Sequence, residues 1–137
     1  ASGFMDYQWP GFGRPGTDLA SSTCASVTAD ALCDDGKTLI DVYYENFCTF
    51  ATEFGCGPNV SESILTKDEL RRQVDVSILD TMRCIFGYQW HRAKASPAML
   101  ERNKNSVGRN SYNKNTFNAV WVMRRCDELL RLNAFDR

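Results

Sequence analysis

Between Thr66 and Trp90 apolar residues recur at every third or fourth position, Leu70, Val74, Ile78, Met82 and Ile85, while Arg71, Arg72, Asp75 and Asp80 fall off that stripe. A 3.6-residue period puts such positions on one side of a helix. Thr66 and Glu69 stand in capping-box spacing at its start, so the helix is expected to begin there. A second helical pattern covers residues 37–54, with Leu39, Ile40, Tyr43, Phe47, Phe50, Ala51 and Phe54 on one face. Asp34, Asp35 and Gly36 form a turn before it, and Gly55 ends it. A third runs from Thr116 to about Asn133, with Ala119, Val122, Met123, Cys126, Leu129 and Leu130 on one face and Phe117, Val120 and Trp121 widening it.

Shorter elements fill the gaps. Residues 17–33 carry Val27, Ala31 and Leu32 as their firm apolar positions and predict one or two short helices, capped by Thr17 or Asp18. Ser96 followed by Pro97 signals a helix start, with the serine as cap and the proline in the first turn, which predicts a short helix over residues 98–103. Residues 1–16 hold Phe4, Tyr7, Trp9 and Phe12 among prolines and glycines, which break any regular period, so they read as an irregular aromatic arm. Residues 103–116 are polar, asparagine-rich and basic, and read as a long loop. No run alternates long enough to demand a strand. The expected fold is all-α: an irregular bundle of three principal helices plus short ones, in a single domain spanning residues 1–137.

A chain of 137 residues with 43% apolar side chains is large enough to enclose a core. Its 6 cysteines, at positions 24, 33, 48, 56, 84 and 126, include no C-x-x-C pair, and there is 1 histidine, so the usual zinc spacings are absent. Disulfides, and hence an oxidising, extracellular compartment, are the expected use. If the helices at 37–54 and 67–88 run antiparallel, Cys84 falls near Cys33; Cys48 and Cys126 then face each other from within their helices, leaving Cys24 for Cys56. Asn59, Val60 and Ser61 form an N-x-S sequon, so Asn59 is a candidate glycosylation site. The start of the chain lacks a basic and then apolar leader, as expected of a mature secreted protein. No apolar run approaches the ~20 residues of a membrane span.

Charge is divided unevenly. Residues 1–80 hold 13 acidic and 5 basic side chains, and residues 81–137 hold 4 acidic and 11 basic. Acidic and basic helices packed side by side would account for this. A sharper use is recognition of an acidic protein surface or acidic glycan by Arg92, Lys94, Arg102, Lys104, Arg109 and Lys114 around the polar loop, with Trp9 and Phe12 as aromatic anchors or as an arm shared in a homodimer. Nucleic acid is disfavoured by a sequence pI near 5.8 and by the absence of aromatics interleaved with the basic positions.

Catalytic patterns are sparse. His91 is followed by Arg92, not by the aspartate that completes a phospholipase-type dyad. G-x-S-x-G, H-E-x-x-H and P-loop motifs are missing. The carboxylate pairs Asp34 with Asp35 and Asp41 with Glu45 leave room for a hydrolase of acid–base type. Asp34, Asp35 and Gly36 share only fragments of a calcium loop, and no metal or cofactor is expected. The first expectation is a secreted, non-enzymatic protein that recognises another macromolecule through a helical surface. An extracellular carrier of a small apolar ligand such as a lipid is the alternative, with Phe47, Phe50, Phe54, Phe86, Trp90 and Trp121 as candidate cavity walls.

Overall fold

A computed structural model describes residues 13–25, 27, 29–57, 59, 63–103 and 116–132. In chain order the elements are α1 (Pro15–Ala25), a 3₁₀ turn (Ala29–Leu32), α2 (Lys37–Glu53), α3 (Lys67–Met82), a π-helical continuation of α3 (Arg83–Trp90), α4 (Pro97–Arg102) and α5 (Thr116–Arg131). Among the described residues there is no strand, so the fold is all-α.

The core lies where α1, α3 and α5 meet. Ala20 and Cys24 come from α1, Leu32 from the 3₁₀ turn, Val74, Ile78 and Ile85 from α3 and its extension, and Trp121, Val122, Cys126 and Leu129 from α5. Leu70 is fully buried one turn before Val74, a placement worth about 1.5–3 kcal/mol for a leucine side chain. Polar ties fix the registers. Asn118 Nδ2 donates to the Val27 carbonyl at 2.6 Å, holding the start of α5 against the segment after α1. Arg125 Nη2 reaches Asp75 Oδ1 at 2.8 Å, joining α5 to α3. Arg124 meets Asp35 at 3.5 Å. These two ion pairs match the expectation that the basic end of the chain packs against the acidic one.

α1 begins earlier than the pattern predicts. Pro15 and Gly16 lie in its first turn, where a proline's missing N–H costs nothing. Gly16 lies directly against α3: its N–H points to Gln73 Oε1 at 3.5 Å, and a Cβ built on it would sit 2.7 Å from both the Gln73 carbonyl carbon and the Val74 nitrogen. The pattern alone makes this glycine a helix breaker; the structure uses it for close helix contact. Residues 1–12 of the proposed arm lie outside the described residues.

The principal helix starts where its sequence says it does. Thr66 Oγ1 accepts the Glu69 N–H at 3.1 Å. The Glu69 carboxylate, instead of completing a capping box, takes Arg72 Nε at 2.7 Å and Gln73 Nε2 at 3.1 Å. The Arg72 hydrogen bond comes first among the causes that hold its pKa down to about 2. Thr66→Ala is expected to cost ~1 kcal/mol, the usual loss of an N-cap, read as a lower urea midpoint with unchanged slope. Past Gly87 the chain stays helical to Arg92, further than loss of period suggested, because the π-helical winding carries it on. Phe86 and Trp90, one turn apart there, meet edge to face at 4.6 Å and close the edge of the core.

α2 forms as expected and packs less than expected. The Asp34 carboxylate caps it, accepting the Gly36 N–H at 3.1 Å, the Thr38 N–H at 2.8 Å and the Thr38 hydroxyl. Gly55, with φ 87°, ends it in a left-handed turn whose Cys56 N–H returns to the Ala51 carbonyl at 2.9 Å. Yet no residue of α2 is buried. Its first half is tethered by Asp41, which pairs with Lys67 at 2.8 Å and Arg71 at 3.2 Å, and by the Tyr44 hydroxyl on the Leu65 carbonyl at 3.0 Å. Its second half leaves Phe50 and Phe54 to solvent.

Candidate functional site

α2, α3 and α5 enclose a cleft of about 250 Å³, with Thr23 of α1 at its edge. Its apolar wall is Ile40, Val74, Ile78 and Trp121, and its rim carries Lys37, Arg71 and Arg125 with Asp35 and Asp75. Helical spacing delivers these groups. Arg71, Val74, Asp75 and Ile78 are neighbours along one side of α3, Trp121 and Arg125 are one turn apart on α5, and Lys37 and Ile40 are one turn apart at the start of α2.

Trp121 is the unusual member. It is 8% exposed, and its indole Nε1–H is buried without a hydrogen-bond acceptor among the described residues. A buried donor left unpaired costs roughly 1–3 kcal/mol.

The rim is electrostatically ordered. Burial works against the Arg125 charge, but hydrogen bonds to Asp75 and Glu128, at 2.8 Å each, outweigh it and raise its pKa above the ordinary value. It is therefore a fixed cation. Arg71 is shared between Asp41 at 3.2 Å and Asp68 at 3.4 Å. Arg71 and Arg125 are thus matched by carboxylates, and Lys37 is the rim cation outside any ion pair among the described residues.

The residues singled out from sequence fall elsewhere. Arg92 is exposed near the end of the long helix, with Nη1 3.3 Å from the Tyr88 hydroxyl. Lys94 sits in the turn after it with φ 50°, and Arg102 is exposed in the last turn of α4. None of the three lines the cleft. Trp9, Phe12, Lys104, Arg109 and Lys114 lie outside the described residues. Of the six aromatics offered as cavity walls, Trp121 alone lines this cleft; Phe50 and Phe54 face solvent, and Phe86 and Trp90 pack on the core. Asn59 is exposed, and its carbonyl accepts the Ser63 hydroxyl at 2.7 Å. Asp41 belongs to ion pairs and Asp34 to a helix cap, which hold both pKa values below the usual range. The first cause at Asp41 is its hydrogen bond from Lys67, and at Asp34 its hydrogen bond from the Thr38 side chain.

No two of the 6 cysteines stand at disulfide distance in this structure, so the expected pairs Cys24 with Cys56, Cys33 with Cys84 and Cys48 with Cys126 are not seen; Cys24 and Cys126 are buried, Cys48 is half-buried, and Cys33, Cys56 and Cys84 are exposed. Among the described residues no cluster of three or more His, Cys, Asp or Glu side chains is arranged to hold a metal ion, and no helix is long and apolar enough to cross a membrane. No protein-family model, curated protein or solved structure matches the chain.

Proposed function

We propose that this is an extracellular binding protein that holds a small amphipathic ligand in the cleft between α2, α3 and α5. The cleft's apolar wall with Lys37 at its rim carries the reading. Ile40, Val74, Ile78 and the Trp121 ring suit an apolar body, while Lys37 at the rim suits a carboxylate or similar acceptor. At about 250 Å³ the cleft is at the small end for ligand sites, so a short-chain or single-ring acid fits better than a full-length lipid. The even set of cysteines and the exposed Asn59 support an extracellular setting, with disulfides and a glycan at Asn59 as its modifications.

Native mass spectrometry of the unreduced protein from its natural source tests this directly. The expected result is a mass excess of a few hundred daltons that disappears on denaturation. Bare chain mass, together with no binding from a panel of short-chain fatty acids and small aromatic acids, rejects the reading. Lys37→Met keeps the length of the side chain but removes the unpaired rim cation, and is expected to weaken binding of the best acid roughly 2- to 5-fold in calorimetric titration, the range of one exposed ion pair.

A second reading, recognition of a macromolecule, rests on α2. Phe50 is 53% and Phe54 84% exposed, and Val42 on the same helix and Ile64 in the loop beyond it are also open to solvent. Exposed aromatics of this kind form anchors in interfaces. Binding of a partner that survives Lys37→Met and is lost in Phe50→Ser/Phe54→Ser would favour it.

A further inference from the structure

The exposed large apolar side chains fall almost wholly on two faces. Val42, Phe50 and Phe54 of α2, with Ile64 in the loop beyond it, are open to solvent. On α5, Val120, Met123 and Leu130 are 55%, 48% and 53% exposed and share one side of the helix, turned away from the buried Trp121, Val122 and Leu129. None of these exposed residues lines the cleft. We propose that each face is covered by a second copy of this chain, α2 of one copy packing on α5 of the other in a two-fold symmetric dimer. The proposal rests on the second reading of α2, that it carries an interface, and names what it meets there.

Charge matches the two faces to each other. From Val42 to Thr66 the sequence holds Glu45, Glu53 and Glu62 and no lysine or arginine. Glu45 stands one turn from Val42 and Glu53 one turn from Phe50, both exposed and outside any ion pair among the described residues. The α5 face carries Arg124, one turn from Val120, and Arg131, beside Leu130, with side chains 73% and 77% exposed. Each already meets a carboxylate of its own copy, Arg124 with Asp35 at 3.5 Å and Arg131 with Asp127 at 2.8 Å. A guanidinium has donors enough to take a second carboxylate on its open side. Glu45 and Glu53 are eight residues apart, about 12 Å along a helix, and Arg124 and Arg131 are seven apart, about 10.5 Å, so one register serves both pairs. A contact of α2 with α2 would instead set glutamates against glutamates.

Area points the same way. Phe50 is 53% and Phe54 84% exposed, and at about 150–250 Å² per aromatic side chain the two leave roughly 200–340 Å² uncovered. One such face falls short of the ~800 Å² per partner of a stable interface. A reciprocal contact buries an α2 face and an α5 face on each copy, and closes the assembly at a dimer.

Sedimentation equilibrium of the full chain from micromolar to millimolar concentration is the test. The expected result is a rise toward twice the chain mass. Phe50→Ser/Phe54→Ser and Val120→Gln/Leu130→Gln each change exposed side chains of one face, with helicity checked by circular dichroism, and each is expected to raise the dimer dissociation constant at least about tenfold. Mixed in equal amounts, the two variants are expected to regain association in part, because one of the two contacts in the mixed dimer joins an intact α2 to an intact α5. Glu53→Lys is expected to weaken the dimer roughly 2- to 5-fold. A chain that stays monomeric throughout overturns the dimer, and if it then captures an unrelated protein through Phe50 and Phe54, α2 keeps its interface with a different partner. A dimer that persists in Phe50→Ser/Phe54→Ser rejects α2 as an interface altogether. Persistence in the α5 variant, or mixed variants that fail to associate, overturns the pairing of α2 with α5, and an unchanged constant for Glu53→Lys overturns the charge match that selects it.

Discussion

Gly16→Ala is expected to destabilise the protein by about 2–4 kcal/mol, although alanine is the better helix former. Propensity alone would favour the substitution by up to ~1 kcal/mol. The opposing effect is steric: the new methyl would lie 2.7 Å from the Gln73 carbonyl carbon and the Val74 nitrogen, a separation that real Cβ atoms essentially never show. Both are backbone atoms of α3. They cannot rotate away as a side-chain tip would, so α1 must lift from its main packing partner, and overpacking of this kind typically costs 1–3 kcal/mol or more. Gly13→Ala supplies the control, since nothing lies within 4 Å of a Cβ there. Urea unfolding of both variants decides the matter; a Gly16→Ala midpoint equal to that of Gly13→Ala would mean that α1 does not pack on α3 in this register.

Ile78→Ala is expected to cost about 2–4 kcal/mol and to enlarge the cleft. Ile78 is 2% exposed, belongs to the core cluster and also lines the cleft, so it separates the two. Truncation removes the transfer energy of the lost methyl and methylene groups and adds a cavity penalty that the neighbours relieve only in part. Ile78→Val, which keeps most of the volume, is expected to lose 0.5–1.5 kcal/mol. The two effects separate in experiment. Denaturant unfolding reports the stability loss, and a shift of preference toward longer acids reports the enlarged cleft. A loss below ~1 kcal/mol for the alanine variant would show that Ile78 is not the packed partition described above.

How much of this was legible in the sequence depended on whether local or tertiary forces decided it. The three long helices and the α4 start at Ser96 follow from period and capping residues, which act within a few positions, and their limits agree with the pattern to within a few residues. Which face of a helix becomes the core depends on the neighbours. On α5 the apolar positions cover most of the circumference, so period alone placed Met123 and Leu130 inside; packing against α1 and α3 instead turned the seam toward Trp121 and Asn118, leaving Met123 48% and Leu130 53% exposed. α2 shows the opposite error, since a well-formed apolar stripe packs on the core at Ile40, is half-covered at Tyr43 and Phe47, and is open to solvent at Phe50 and Phe54. The cleft was legible only in part. Trp121 is among the aromatics that the pattern offers as walls, but Lys37, Arg71 and Arg125 come from three helices whose mutual approach no local signal encodes. The i, i+4 pair of Trp121 and Arg125 was the one hint available.

α2 has an energetic consequence. Because it contributes no buried side chain, unwinding its second half from Phe47 onward breaks helical hydrogen bonds and uncovers half-shielded rings, but empties no position in the α1, α3 and α5 core. That partial opening therefore lies below global unfolding on the free-energy scale. The amides of this half exchange with solvent, and its peptide bonds meet proteases, at rates set by a local equilibrium while the rest of the molecule stays folded.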